Sequence, residues 1–285
     1  MNLETELKHI WKMQDSMINN QKEEFNGFEI DPANYPNVNP SIATGWELEI
    51  EKYNTGLVNK YYPNKVFLLD EEDHSLKVQG LELITNGGLT EHRLFQSISE
   101  LKYIISLLEH HNHPVDFTHR CSFHVHLDVS SYTADNLTTF VGAFMLVEPF
   151  LFSLCENHRE GNNYCTSINN LALKQNNLFN INFHDSKYWS LSLNRLADLG
   201  TVEIRPHHGT ANTHKLLTWI GYLHKIWDYA KEHTFDEFKW AVLDLQHYNQ
   251  INQLSQQILG TDIMSDKLER KLKNSYINTL FYFNI

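Results

Sequence analysis

The sequence is poor in cysteine, in basic residues and in long apolar runs. Three cysteines, Cys121, Cys155 and Cys165, stand among 285 residues without a C-x-x-C pair. An odd count without paired spacing argues against a disulfide framework and a cysteine-based zinc site, and fits a reducing, cytoplasmic compartment. Lys and Arg total 23 against 35 Asp and Glu, a net charge of −12. Such an acidic chain repels phosphate backbones and anionic bilayers, so neither nucleic acid nor membrane is expected as a partner. The start, M-N-L-E-T-E-L-K-H-I-W-K, mixes charges into its apolar residues and lacks the unbroken apolar region of a signal peptide. The most apolar stretch, 140–155, carries Glu148 and Pro149. It is shorter than the roughly 20 residues a spanning helix needs, so a buried core helix is expected. Neither G-x-x-x-x-G-K-[ST] nor G-x-G-x-x-G occurs, so nothing supports a P-loop or Rossmann nucleotide site. No internal repeat or low-complexity block is found.

What is present is a globular composition, 41% hydrophobic, with 17 histidines. Histidine titrates near neutrality and binds metals, which makes its abundance informative. Leu3, Leu7, Ile10, Trp11, Met17 and Ile18 predict an amphipathic helix over 3–18. Pro32, Pro36 and Pro40 then break regular structure, so residues 1–40 read as a helical extension and linker. From Gly45 the period changes to two. Strands are expected at 45–53, 65–70, 75–85, 121–129, 188–196 and 200–207, the last two joined as a hairpin. Helices are expected at 91–111, 133–157 and 212–232, and a mostly helical extension over 233–285. The fold class is α+β, with a domain at 41–232 between the two extensions.

The polar faces of these strands are selective. They carry Glu47, Glu49 and Glu51; Glu82; His124, His126 and Asp128; Asn194; and Glu203, Arg205 and His207, without a single Lys. Residues i and i+2 of a strand share a face, about 7 Å apart. Neighbouring strands of this kind would build a wall of carboxylates and imidazoles. Crowded carboxylates repel and call for a counter-charge. Hard Mg²⁺ or Mn²⁺ supplies it, with oxygen ligands and an occasional imidazole. Taken singly, each element has an ordinary explanation: a solvated edge for E-x-E, a surface pair for H-x-H, a cross-strand ion pair for Glu203 and Arg205. Arg159, after the apolar helix, has the option of capping that helix. Glu82, set inside L-E-L-I, needs a partner in any reading.

The ordered set of motifs resembles the amidoligase family, ATP-dependent carboxylate–amine ligases related to glutamine synthetase and glutamate–cysteine ligase. The resemblance spans about 41–225. It rests on G-W-E-L-E (45–49), L-E-L-I-T (81–85), H-V-H-L (124–127), E-P-F-L-F-S-L (148–154) and R-E-G-N-N-Y-C (159–165). It continues through Y-W-S-L-S-L-N (188–194), G-T-V-E-I-R (200–205) and H-G-T (208–210). Ser122 departs from it, since the family usually has Gly ahead of the H-V-H strand, and Arg195 has no assigned counterpart. The resemblance implies a glutamine-synthetase-like core: a curved antiparallel sheet with helices on its outer face and the active site on its inner face. It implies ATP and Mg²⁺ (or Mn²⁺) as cofactors, and a carboxylate and an amine as substrates, a peptide or protein end included. ATP would phosphorylate the carboxylate, and the amine would displace phosphate from the acyl phosphate. The implied metal set is Glu47, Glu49, Glu82, His126 and Glu203. Arg205 and Arg159 would face the phosphates, Asn194 the nucleotide or substrate. His124 stands open between phosphate and metal, and Glu51, Asp128 and His207 are candidate bases. His126 and Arg205 serve the nucleotide as well.

Two other readings use the same residues. A metal-dependent hydrolase or oxygenase would be built on H-x-H with a third ligand and an open site. A non-catalytic binding protein would leave the polar face merely solvated. ATP turnover separates the ligase from the first, and stabilisation by Mg-ATP separates it from the second. The substrates' identities and the oligomeric state are not written in the sequence.

Overall fold

A computed structural model describes residues 30–77, 80–172, 187–245, 248–261 and 266–283. The expected helix at 3–18 lies outside them. Among the described residues, six strands form one antiparallel sheet: β1 (Thr44–Ile50), β2 (Leu68–Glu72), β3 (Leu81–Thr85), β4 (Ser122–Asp128), β5 (Leu191–Ser192) and β6 (Thr201–His208). Their spatial order is β2-β3-β1-β4-β6-β5. The helices are α1 (Thr55–Tyr61), α2 (His92–His110), α3 (Ala134–Ser153), α4 (Ile168–Ala172), α5 (Leu196–Leu199), α6 (Thr213–Glu232), α7 (Phe235–Leu243), α8 (Tyr248–Leu259) and α9 (Asp266–Phe283).

Alternation decides which face of the sheet is covered. Trp46, Leu48 and Ile50 of β1, Phe123, Val125 and Leu127 of β4, and Val202 and Ile204 of β6 are almost wholly buried. They meet helices there: the Trp46 indole N–H donates to Ser97 Oγ on α2 at 2.9 Å, and Phe123 and Trp219 of α6 flank His207. The intervening residues face the opposite side, where the cleft lies. Among the described residues, α3 alone is long and apolar enough to cross a membrane, and most of it is buried in the core. Leu254 and Ile258 of α8 and Leu268 and Leu272 of α9 join that same core.

The Pro-rich linker is fastened to α6 through Asn39, whose side-chain amide donates to Asp228 Oδ1 at 2.8 Å and whose backbone meets a buried histidine. Asn39 N–H donates to His224 Nδ1 on α6 at 3.0 Å. Nε2 therefore carries the ring's hydrogen, and it meets Thr44 Oγ1 at the start of β1, 2.8 Å away. The hydroxyl of Thr44 passes its own hydrogen to Ile42 C=O.

Three expectations shift. The strand expected at 65–70 runs instead over Leu68–Glu72, and the long strand at 75–85 shortens to Leu81–Thr85. Alternation over 188–196 yields only the two-residue β5, because the chain turns after Leu193 into α5 before pairing again as β6. The helix α1 gave no periodic signal, since T-G-L-V-N-K-Y is short. Asn54 starts it by accepting the Leu57 N–H at 2.9 Å.

Candidate active site

Strand register assembles the site. Glu47 lies opposite His124, and Gly45 opposite His126. Glu49 lies opposite Glu82, and His126 opposite Glu203. Four adjacent strands thus bring residues far apart in sequence within side-chain reach. At Gly45 a Cβ would stand 3.3 Å from Thr85 Oγ1, a tight approach, and 3.6 Å from His126 Cβ, an ordinary contact.

The open face bounds a cleft of about 640 Å³. Glu47, Glu49, Glu82, His124, His126 and Glu203 form its wall, and Arg159, Asn194 and Arg205 line it too. The nine residues given a metal, phosphate, nucleotide or substrate role from the sequence therefore line one cavity. Three other groups do not. Glu51 accepts the Lys77 N–H at 2.8 Å and bridges β1 to Asp116. Asp128 caps the turn after β4, accepting the Ser130 N–H at 2.7 Å. His207 was expected beside Glu203 and Arg205, but the sheet puts it on the other face. Between Ile204 and His207, β6 has two residues where β4 has only His124, and this bulge reverses the alternation. His207 packs instead against Phe123 and Trp219, and burial pushes its ring down to about 3.

The bulge is itself held by Arg159. Its Nε donates to Pro206 C=O at 2.9 Å and its Nη2 to Arg205 C=O at 2.7 Å. Only 2% exposed, Arg159 does not cap α3 as one option had it. Arg205 donates from Nη1 to Glu203 Oε1 and from Nε to Tyr164 C=O. Its guanidinium is therefore aimed along the carboxylate wall.

Two sets of potential ligand atoms converge within 4.8 Å among the described residues. One is Glu47, His126 and Glu203; the other is Glu47, Glu82 and His124. Glu47 Oε1 lies 3.0 Å from His126 Nε2, yet neither ring nitrogen of His126 has an aligned hydrogen-bond partner. Buried imidazole nitrogens without aligned partners, beside the two carboxylates of Glu47 and Glu203, fit the donor set of a hard divalent cation. Glu49 is placed otherwise: Ser122 N–H donates to its Oε2 at 2.7 Å.

The charges show the same demand. Burial alone would raise Glu47, but its contacts with His124 and His126 outweigh that and hold its carboxyl far below the usual range. Burial also opposes a charge on His126, and Glu47 and Glu203 outweigh it and raise its pKa. Glu82 is pushed up to about 9, first by burial and then by the charges of Glu47 and Glu49. The cluster holds more negative charge than its protein partners neutralise.

The sequence reading missed several lining groups. Glu71, opposite Glu82, and Asp73 line the acidic side from β2 and the turn after it, and His119, Arg120, Lys187 and Arg195 line the cleft as well. The one available signal for Glu71 was its strand, which alternation placed three residues too early. The rest stand on loops, where no periodicity marks a direction.

Fold and site together define a class: an α+β protein whose open antiparallel sheet carries a carboxylate–histidine wall with arginines beside it. The model of a family described as "putative amidoligase enzyme" matches residues 11–227. The chain belongs to that amidoligase family, whose name denotes ligases. No curated protein matches the sequence.

Proposed function

We propose that this chain is an ATP-dependent carboxylate–amine ligase that forms an amide or peptide bond through an acyl phosphate. The observation that carries the reading is Glu47, common to both convergent ligand sets, with Arg205 bonded to Glu203 of one of them. Cation-binding and phosphate-binding groups are thus adjoining. Glu47, His126 and Glu203 would hold one Mg²⁺ or Mn²⁺, and Glu47, Glu82 and His124 a second. A bound divalent cation supplies neutralisation of the ATP phosphates, which phosphoryl transfer needs more than a protein nucleophile.

The side chains supply the rest. Arg205 offers a planar donor fork to the transferring phosphoryl group. Arg159 fixes the backbone under Arg205 and so fixes its direction. Asn194, beyond β5, orients nucleotide or substrate. The attacking amine loses its proton to the acidic side of the cleft, where Glu71 and Asp73 stand. A hydrolase built on the same histidines would have no transferring phosphoryl group for the planar fork of Arg205 to meet.

Purified protein given Mg-ATP, a carboxylate mixture and hydroxylamine as amine should release ADP and orthophosphate and form a hydroxamate. Arg205→Lys keeps the charge and loses the fork; turnover should fall about 10²–10³-fold while Mg-ATP still binds. Release of AMP and pyrophosphate, or unchanged turnover in Arg205→Lys, contradicts the reading.

A further inference from the structure

We infer that Tyr164 and Tyr188 form the platform on which the base of the bound nucleotide rests. That a nucleotide enters the cleft rests on the function proposed above. Which side chains meet its base does not follow from that reading and comes from the rings themselves.

Both tyrosines line the cleft. Tyr164 is 56% exposed and Tyr188 46%. Among the described residues, no other large apolar side chain so exposed borders the cleft. The two rings stand edge to face, their centroids 5.9 Å apart. Local alternation puts them there. Their chain neighbours Cys165 and Trp189 are buried, so Tyr164 and Tyr188 are turned outward. The two segments are tied side by side. Thr166 N–H donates to Tyr188 C=O, and Ser190 N–H to Thr166 C=O, each at 2.8 Å. Beneath them the enclosed carboxylate of Glu148 accepts from Ser167 Oγ, the Ile168 N–H and Ser190 Oγ. Aromatic faces left in water on a backbone so well fastened offer a flat ligand a surface that needs no further ordering.

Position says which flat ligand. Arg205, the fork for the transferring phosphoryl group, donates from Nε to Tyr164 C=O at 3.3 Å. The platform therefore adjoins the phosphate end of the site. Lys187 Nζ lies 5.6 Å from the centre of the Tyr188 ring. Tyr188 leads into β5, the edge of the sheet opposite β2 and its Glu71. A planar ring joined to a run of phosphates matches this side of the cleft: faces for the ring, cations for the phosphates. The sequence has no Gly-rich nucleotide loop, so side chains rather than backbone must hold the base. Stacking grips a base by its face. Asn194, lining the same cleft, carries a donor and an acceptor for its edge.

The test compares Mg-ATP with Mg-tripolyphosphate, which keeps the phosphates and lacks the base, by calorimetric titration of the full-length protein. Wild type should bind Mg-ATP more tightly. Tyr188→Ala should weaken Mg-ATP about 5–150-fold, the range for loss of one stacked base, and leave Mg-tripolyphosphate unchanged. Tyr188→Phe keeps the face and should bind as wild type does. Tyr164→Ala should act in the same direction as Tyr188→Ala, so a folding failure of either variant leaves the other to decide. Equal affinity of wild type for the two ligands, full Mg-ATP affinity in each alanine variant that folds, or equal weakening of both ligands overturns the platform and leaves the proposed ligase standing. Wild type that binds neither ligand defeats the proposed function, and the platform falls with it.

Discussion

Glu82 reports the charge state of the cleft. In the unfolded chain its carboxyl has an ordinary value of 4.5, while in the folded protein burial and the charges of Glu47 and Glu49 push it up to about 9. Between those values the folded state holds a proton that the unfolded state has released. The contribution of Glu82 is therefore fully present below 4.5 and is lost as pH rises toward about 9. Metal-free wild type should lose stability relative to Glu82→Gln across that window, measured as the difference of their thermal midpoints against pH. A flat difference would mean that Glu82 is ionised and compensated without a cation. At this scale the sequence was informative because each ligand type announced itself within a strand. His207 shows the limit. Its i+2 spacing from Arg205 promised a shared face, and one extra residue in β6 reversed it. The bulge has a cause legible only afterwards: Pro206 has no N–H to give a ladder, and Arg159 takes the two carbonyls around it.

The helix α3 packs against α6, α7, α8 and α9, and two of its residues explain how. Pro149 has no N–H for the Met145 carbonyl one turn back. That carbonyl accepts instead from Asn169 Nδ2 at 2.8 Å and from Ser275 Oγ on α9. Glu148 beside it is completely enclosed, accepting from Ser167 Oγ and the Ile168 N–H. The E-P pair is thus a structural junction between α3, α4 and α9, and it lies away from the carboxylate–histidine wall. Gly142 sets the approach of α7. A Cβ there would meet the Phe238 ring at 2.5 Å. Helix propensity alone predicts that Gly142→Ala stabilises by about 1 kcal/mol. Overpacking a tight contact costs about 1–3 kcal/mol. The contact should win, so Gly142→Ala should lower the urea midpoint; a raised midpoint would show that α7 yields freely.

The whole molecule shows where sequence reasoning stops. Periodicity revealed most of the strands and the long helices, because burial on one face imposes a repeat. It said nothing of strand order, which is a matter of chain crossings: β1, early in the sequence, becomes a central strand between β3 and β4. Only that order brings Glu47 between Glu82 and the two histidines. Of the cationic groups lining the cleft, Arg159 and Arg205 were legible through the motifs that carry them, whereas Arg120, Lys187 and Arg195 stand on loops outside those motifs. The result is a cavity lined by the carboxylates of Glu47, Glu49, Glu71, Asp73, Glu82 and Glu203 together with Arg120, Lys187, Arg195 and Arg205. An acidic wall repels a nucleotide's phosphates unless a cation lies between. Calorimetric titration of ATP into the purified protein, once with Mg²⁺ and once with EDTA, therefore tests the central claim most directly. The account predicts heat of binding with Mg²⁺ and none with EDTA; equal affinity in the two buffers would contradict it.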